Sequence, residues 1–535
     1  MSASGRGLPR LPRAPAARFR LPASLARFPL HLLLAVTLTT GCAHNVTRQV
    51  RPPADVDSLR ADQSPYLKVH TRDGRLYVLR DWTVSKADSV CRGSGDVFDA
   101  RRERIGMGPQ AIPLDSVALF ETNQVRTSGA TTLLAALTVV TAGIAIYCAS
   151  DPKACFGSCP TFYLTDGAKP VLAAEGFSSS VAPSLEAKDV DALWQAHPRG
   201  RDFTLLLTNE ALETHVIRHA DVLAARRPPG GRVVAGPGGV LREALALHEP
   251  LRATGPEGDC VEPLRLFDGR ERFSAADSTD LAAREVLELE FAAMPDTALG
   301  LVIASRQSLL TTYLFYQALA YMGRRAGDWV ATLERGDAAT RQRSAGVGRA
   351  LGGIEVLVRN PAGEWTRVGE DRETGPIATD VRLVPLPGVG PGPVRVRLRL
   401  ARGAWRLDQV ALAVLGAPVE PRRLRPIAVT RGGEDDPAAL AALLDPRHAL
   451  VTLRGDHYEL HYRLPEDFAS CELLLESRGY YLEWMREAWL EEENPARAAL
   501  MALRPEDALR TLAPEFKRRE EALERTFWSS RYAQP

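Results

Sequence analysis

Residues 393–415 read "PVRVRLRLARGAWRLDQVALAVL", and their strict alternation decides the fold class. Side chains of an extended strand point to opposite faces in turn, so Val394, Val396, Leu398 and Leu400 share one face and Arg395, Arg397 and Arg399 the other. The preceding "GGIEVLVRNPAGEWTRVGE" alternates in the same way, with Gly and Pro between the runs. Such spacing predicts an antiparallel β-sandwich over residues 346–448.

Working outward, "YLKVHTRDGRLYVLRDWTV" alternates around an Asp73-Gly74 turn and "AIPLDSVALFETN" supplies a further strand, which predicts a small β domain over residues 66–126. Residues 155–345 read as a β-rich domain, with short strands around Asp166-Gly167 and longer ones around Asn209-Glu210. A buried helix is expected after Ser305, since the uncharged run there is too short to span a membrane comfortably. Residues 449–535 read as a hairpin, "HALVTLRGDHYELHYRLP", and a helical tail, with Asn494-Pro495 and Arg504-Pro505 marking helix starts. The expected class is α+β, mainly β: a small N-terminal β domain, an apolar helix, a sandwich-like middle and a helical C-terminus.

The chain has 535 residues, 45% of them hydrophobic and 25% charged, and its 67 basic against 66 acidic residues give a net charge of +1. That length suggests several domains, and the balance of charge supplies no field that would draw the chain to nucleic acid.

Six arginines between Arg6 and Arg27 precede an apolar run from Phe28 to Leu38, the order of a signal peptide over residues 1–41. The run ends in "LTTGC", which resembles the lipobox of bacterial lipoproteins, although Thr39 stands where that pattern usually has leucine. The resemblance implies acylation of Cys42 as the mature N-terminus, and Ala43 after it implies the outer membrane. Residues 42–65, polar with "RPP", read as a tether. Six cysteines remain, Cys91, Cys148, Cys155, Cys159, Cys260 and Cys471. They are candidate disulfide partners in an exported chain and allow 15 pairings.

Residues 130–149, "ATTLLAALTVVTAGIAIYCA", lack any charge. At ~1.5 Å per residue they could cross a ~30 Å hydrocarbon core. Their strong apolar residues contribute roughly −2 to −4 kcal/mol to insertion, which threonines, alanines and Gly143 largely offset. A crossing would put everything after Cys148 on the far side of the inner membrane from a lipidated Cys42, and an outer-membrane lipoprotein could not do this with one helix. Two readings stand: a buried or membrane-surface helix, and a transmembrane one.

The phrases "SCPTFY", "LLTNEALETHVI", "SRQSLLTTYLFYQALAYMG" and "LLLESRGYYLEWMREAW" resemble large uncharacterised bacterial lipoproteins of the cell envelope, over most of residues 66–535. The resemblance implies an envelope location and brings no functional residues.

In "HYELH", strand alternation puts His457, Glu459 and His461 on one face, a set that suits a transition metal, although a solvated polar face explains it as well. His215 and His219 share a face at spacing four. "GVGRALGG" (346–353) lacks the lysine of a phosphate loop and precedes a strand, so it reads as a loop. Residues 454–456 spell Arg-Gly-Asp, which a turn requires anyway. In "GYYLEWMREAWLEEE", Tyr481, Trp484 and Met485 would line one helical stripe, with Leu482 and Trp489 beside it. No serine sits in a nucleophile elbow. No catalytic, metal or cofactor residue is assigned. The expected partners are membrane lipid through the anchor and an envelope protein, not nucleic acid. The sequence thus predicts a lipid-anchored envelope protein with a binding or scaffold role. The alternatives are carbohydrate or ligand binding through the sandwich, and hydrolysis of an envelope polymer.

Overall fold

The computed structural model describes residues 44–98, 104–127, 159–326, 346–483 and 492–531, less a few short turns. The signal peptide, Cys42, residues 130–149, Cys155, Trp484, Met485 and Trp489 lie outside the described residues. The chain is mainly β with several sheets. Among the described residues no helix is long and apolar enough to cross a membrane.

The quoted stretch forms two consecutive strands, Gly392–Ala401 and Trp405–Pro418, which lie in different sheets. Val394, Val396, Leu398 and Leu400 are buried, while Arg395, Arg397 and Arg399 reach across to Glu290, Glu288 and Glu355. The sandwich to which they belong is wider than expected. One sheet joins the strands Arg252–Gly255, Arg284–Met294, Gly392–Ala401, Ile354–Arg359 and Trp365–Asp371. The other joins Leu241–His248, Arg232–Ala235, Asp380–Pro385, Leu299–Gln307 and Trp405–Pro418. Leu241–His248 also pairs Trp405–Pro418, which closes these five strands on themselves. Leu287, Leu289, Leu301, Ile303, Val396 and Leu412 meet in the shared core. The sandwich therefore spans residues 232–418 rather than 346–448.

It is inserted into a second sandwich built from both flanking parts of the chain. One sheet of this host runs Ala428–Arg431, His457–Arg463, Asp202–Thr208, Thr161–Leu164, Val171–Glu175. Its partner runs Arg422–Leu424, Glu213–Arg226, Cys471–Glu483, Ala187–Ala192. Phe162, Leu205, Val222, Tyr458 and Leu475 lie between them.

Two expected hairpins are instead crossings between the host sheets. Asp202–Thr208 and Glu213–Arg226 belong to different sheets, as do Leu450–Thr452 and His457–Arg463. The two crossings brace each other: the Asn209 N–H donates to the Asp456 carbonyl at 3.0 Å and the Gly455 N–H to the Asn209 carbonyl at 2.8 Å. The buried Asn209 side chain adds bonds to the Glu213 and Thr452 carbonyls. Gly455 takes φ +87°, which a β-carbon would oppose, so the Arg-Gly-Asp triplet serves the turn.

Residues 44–127 form a six-stranded antiparallel sheet around Leu67, Leu79, Trp82 and Phe120. Its edge strand His44–Arg51 pairs with Val117–Thr127 over eight residues, where a tether was expected.

Five helices complete the described chain: α1 (Leu309–Met322), α2 (Gly346–Leu351), α3 (Pro437–Leu444), α4 (Pro495–Leu503) and α5 (Pro505–Arg531). Ser308 caps α1 by accepting the Leu310 N–H, and Asn494 caps α4 by accepting that of Arg497. The segment expected as a loop at 346–353 contains α2. Tyr481 and Leu482, expected on a helical stripe, lie on the strand Cys471–Glu483, because "LLLESRGYYL" pairs along its whole length with Glu213–Arg226. Helix α5 packs on the inserted sandwich through Leu509, Leu512 and Phe516, whose ring lies 5.1 Å from that of Tyr313 on α1. Phe516→Ala should cost about 3 to 5 kcal/mol, read as a lower midpoint in urea unfolding.

Candidate functional site

The strand Glu213–Arg226 changes face midway. His215 pairs with Tyr481 and Ile217 with Gly479, but His219 pairs with Arg478, so Arg218 is an extra residue in a β-bulge. Before it, Ile217 faces the core between the host sheets; after it, Ala220, Val222 and Ala224 do. His215 and His219 therefore face opposite sides, although their spacing of four predicts one face. His215 is fully buried against Glu213 at 3.1 Å, while His219 opens onto a cleft.

That cleft, about 720 Å³ in volume, lies on the outer face of the host sheet that contains Glu213–Arg226. Two cross-strand rows build it: Lys188, Arg478 and His219, then Val190, Glu476 and Asp221. Glu476 takes His219 Nε2 at 3.2 Å, Lys188 Nζ at 3.3 Å and Arg423 Nη1 at 2.6 Å. Arg423 also holds Asp221 at 2.8 Å, and Glu186 accepts from both Arg218 and Arg478. Burial alone would raise the Glu476 pKa, but hydrogen bonds from His219 and Arg423 and the charges of Arg423 and Lys188 hold it well below the ordinary carboxylate range. Arg425 reaches the Leu444 carbonyl at 3.4 Å and meets no carboxylate among the described residues. Leu443, Leu444 and Pro446 at the end of α3 supply an apolar wall. Five permanent cations (Lys188, Arg218, Arg423, Arg425, Arg478) thus face three carboxylates (Glu186, Asp221, Glu476). Such an excess attracts anions and offers guanidinium groups suited to carboxylate or phosphate oxygens.

Sequence reasoning reached only His219 among these. The available signal was charge inside apolar runs, Arg218 and Asp221 in "HVIRHADVL" and Glu476 and Arg478 in "LLLESRGYY".

His457, Glu459 and His461 do share one face of their strand, opposite the buried Tyr458, Leu460 and Tyr462. His461 is engaged on both ring nitrogens, by Thr204 at 3.0 Å and Thr430 at 3.2 Å, and stands 3.9 Å from Glu459. Among the described residues no cluster of three or more His, Cys, Asp or Glu could hold a metal ion. Cys91, Cys159, Cys260 and Cys471 are free and buried, and Cys91, Cys260 and Cys471 sit in three separate cores. Burial pushes the Cys91 thiol up to about 12 and that of Cys260 to about 11, which keeps both unreactive.

A smaller enclosure of about 190 Å³ is bordered by Glu175, Glu213, Glu483 and the hydroxyl-bearing residues Thr311, Tyr316 and Tyr481. Burial raises the Glu175 carboxyl to about 7, against the opposing pull of the Ile377 and Ala378 N–H groups that donate to it. Because the folded pKa exceeds the ordinary 4.5, this group's contribution to stability is full below pH 4.5 and is lost as pH rises through about 7. Between pH 4.5 and 8 the loss should reach about 3 kcal/mol. Urea unfolding of Glu175→Gln, whose amide oxygen can still accept both N–H groups, should show a correspondingly flatter pH profile than the wild type.

No family model matches the chain, and no curated protein does. Among solved structures it is similar to the GH31 alpha-xylosidase from Xanthomonas citri, with 9% identity, 86% of this chain and 39% of that chain covered, and a TM-score of 0.14. The chain thus spans about 39% of the length of that enzyme, and a similarity of this size carries no argument about fold or activity.

Proposed function

We propose that this chain is a lipid-anchored protein of the bacterial cell envelope that binds an anionic ligand in the cleft between Lys188 and Arg425. The observation that carries the binding reading is the cleft itself. Its volume falls in the range of about 300 to 1,000 Å³ typical of ligand sites, and its permanent cations outnumber its carboxylates. The three carboxylates are engaged by Lys188, Arg218, Arg423, Arg478 and His219, so an incoming anion displaces no carboxylate from Arg425. The wall of α3 gives the ligand an apolar contact beside the charged one.

The anchoring reading draws on the signal-like N-terminus, "LTTGC" and the uncharged stretch 130–149. In this reading residues 44–127 are a small N-terminal domain, 130–149 form an apolar helix at the membrane, and the larger body hangs from them. Pairing of His44 with Thr127 supports it. Cys42 is two residues before one partner and residue 130 three after the other, so at ~3.3 to 3.6 Å per residue both membrane-seeking sequences leave the sheet at one place.

Two outcomes follow. A C-terminal epitope should be digested once the outer membrane is permeabilised, before spheroplasts are lysed, and Cys42→Ala should abolish incorporation of labelled palmitate. Protection of the epitope until lysis would place the body in the cytoplasm. For the cleft, a fluorescent uronate-containing disaccharide should bind the purified protein, with Arg425→Glu weakening it at least about tenfold, or ~1.4 kcal/mol. Raising salt should weaken binding in the wild type more than in the variant.

A further inference from the structure

A second pocket, about 510 Å³, begins where the cleft ends. Lys188 lines both, from the edge strand Ala187–Ala192 of the host sheet. On the far side stand the turn 236–239 and the strands Trp365–Asp371 and Asp380–Pro385 of the inserted sandwich. The pocket therefore occupies the junction between the two sandwiches.

Its chemistry differs from that of the cleft. Lys188, Arg372 and Arg382 are matched by Asp189, Glu370 and Asp371, so no charge is in excess. The ions also satisfy one another: Arg382 donates to Asp189 at 2.7 Å and to the Val190 carbonyl at 3.0 Å, and Arg372 meets Glu370 at 3.0 Å. An anion would meet three carboxylates here and gain nothing. A neutral, hydroxyl-bearing group would find paired acceptors and donors at the rim of a polar wall. The turn leaves room for it, since Gly238 and Gly239 take φ +71° and +74° and a β-carbon at Gly238 would meet nothing within 4 Å.

Resting on the cleft as an anion site, we infer that the two pockets form one groove whose ligand is an extended acidic glycan in which charged and neutral sugars alternate. The anionic unit lies among Arg425, Arg478 and Lys188, and the adjoining neutral unit lies past Lys188 against the turn 236–239 and Arg372. A polymer charged at every unit would fill the cleft but not the second pocket.

The test is length dependence measured by fluorescence anisotropy on the full purified chain. The probes are glucuronate and hyaluronan disaccharide, which joins glucuronate to one N-acetylglucosamine, and linear tetraphosphate beside pyrophosphate. The disaccharide should bind at least about tenfold more tightly than glucuronate, whereas tetraphosphate should gain less than threefold over pyrophosphate. Arg372→Trp, at a solvent-exposed position, should fill the second pocket and remove the disaccharide's gain while leaving glucuronate affinity and melting temperature unchanged. Equal binding of glucuronate and disaccharide by the wild type would overturn the extended groove and leave the anion cleft standing. An equal gain with tetraphosphate, or a gain that survives Arg372→Trp, would overturn the neutral subsite. Binding by none of the probes would remove the cleft reading and the groove with it.

Discussion

Everything in the body depends on one long-range strand pairing, between Glu213–Arg226 and Cys471–Glu483. Its register runs from Glu213 against Glu483 to Arg226 against Cys471, joining residues about 245 to 270 positions apart in sequence. The whole inserted sandwich lies inside the loop that this pairing closes. The entropy of closing a loop grows only with the logarithm of its length, so a large insertion costs little more than a short one. What must repay it is burial, and both strands are buried along nearly their whole length. The consequence is kinetic as well: contacts of this separation form late, and the inserted sandwich, with its own core, is free to order before them.

The bulge at Arg218 in that pairing decides which side chains of the strand reach the cleft. Without the extra residue, His219, Asp221 and Leu223 would face the core, and Ala220, Val222 and Ala224 would face out. The shift reverses this and also brings Arg218 to the cleft side, where it meets Glu186. Buried and half-buried ion clusters are weak sources of stability, because desolvation offsets most of the Coulomb gain. A cluster with more cations than carboxylates is a poorer stabiliser still. Its arrangement is better explained by a ligand that completes it than by a requirement of the fold.

The period-2 runs were legible because each has a fully apolar face: Val394 to Leu400 behave as their alternation demands, and the proline-marked starts of α4 and α5 follow from local backbone chemistry. Pairing partners were not legible. Nothing near Asn209-Glu210 distinguishes a hairpin from a crossing between sheets, since the choice is made by the buried Asn209 side chain and its bonds to Thr452, far away in sequence. "GYYLE" fits a helical stripe as well as a strand, and tertiary pairing selected the strand. The bulge defeated the histidine spacing for the same reason, as a single inserted residue is visible only in the register of both partners. Charges inside apolar strands marked the cleft in outline, but which charges meet depends on four strands drawn from three parts of the chain.

The groove is itself a product of the insertion. The outer face of the host sheet carries an apolar half, Val190, Leu223 and Leu474, and a charged half, Lys188, Asp221, Glu476 and Arg478. The inserted sandwich covers only the first, through Val233, Ala235 and Leu241. Where the cover stops, a step forms between its edge and the exposed sheet, and Lys188 stands at that step, lining the pockets on both sides. A flat sheet face carrying the same charges would bind anions weakly, because water would screen each one. The step supplies the concavity, and it makes the floor of the groove cationic on the host side and charge-balanced at the junction. The asymmetry of charge along the groove therefore follows from partial coverage of a single sheet by its own insertion.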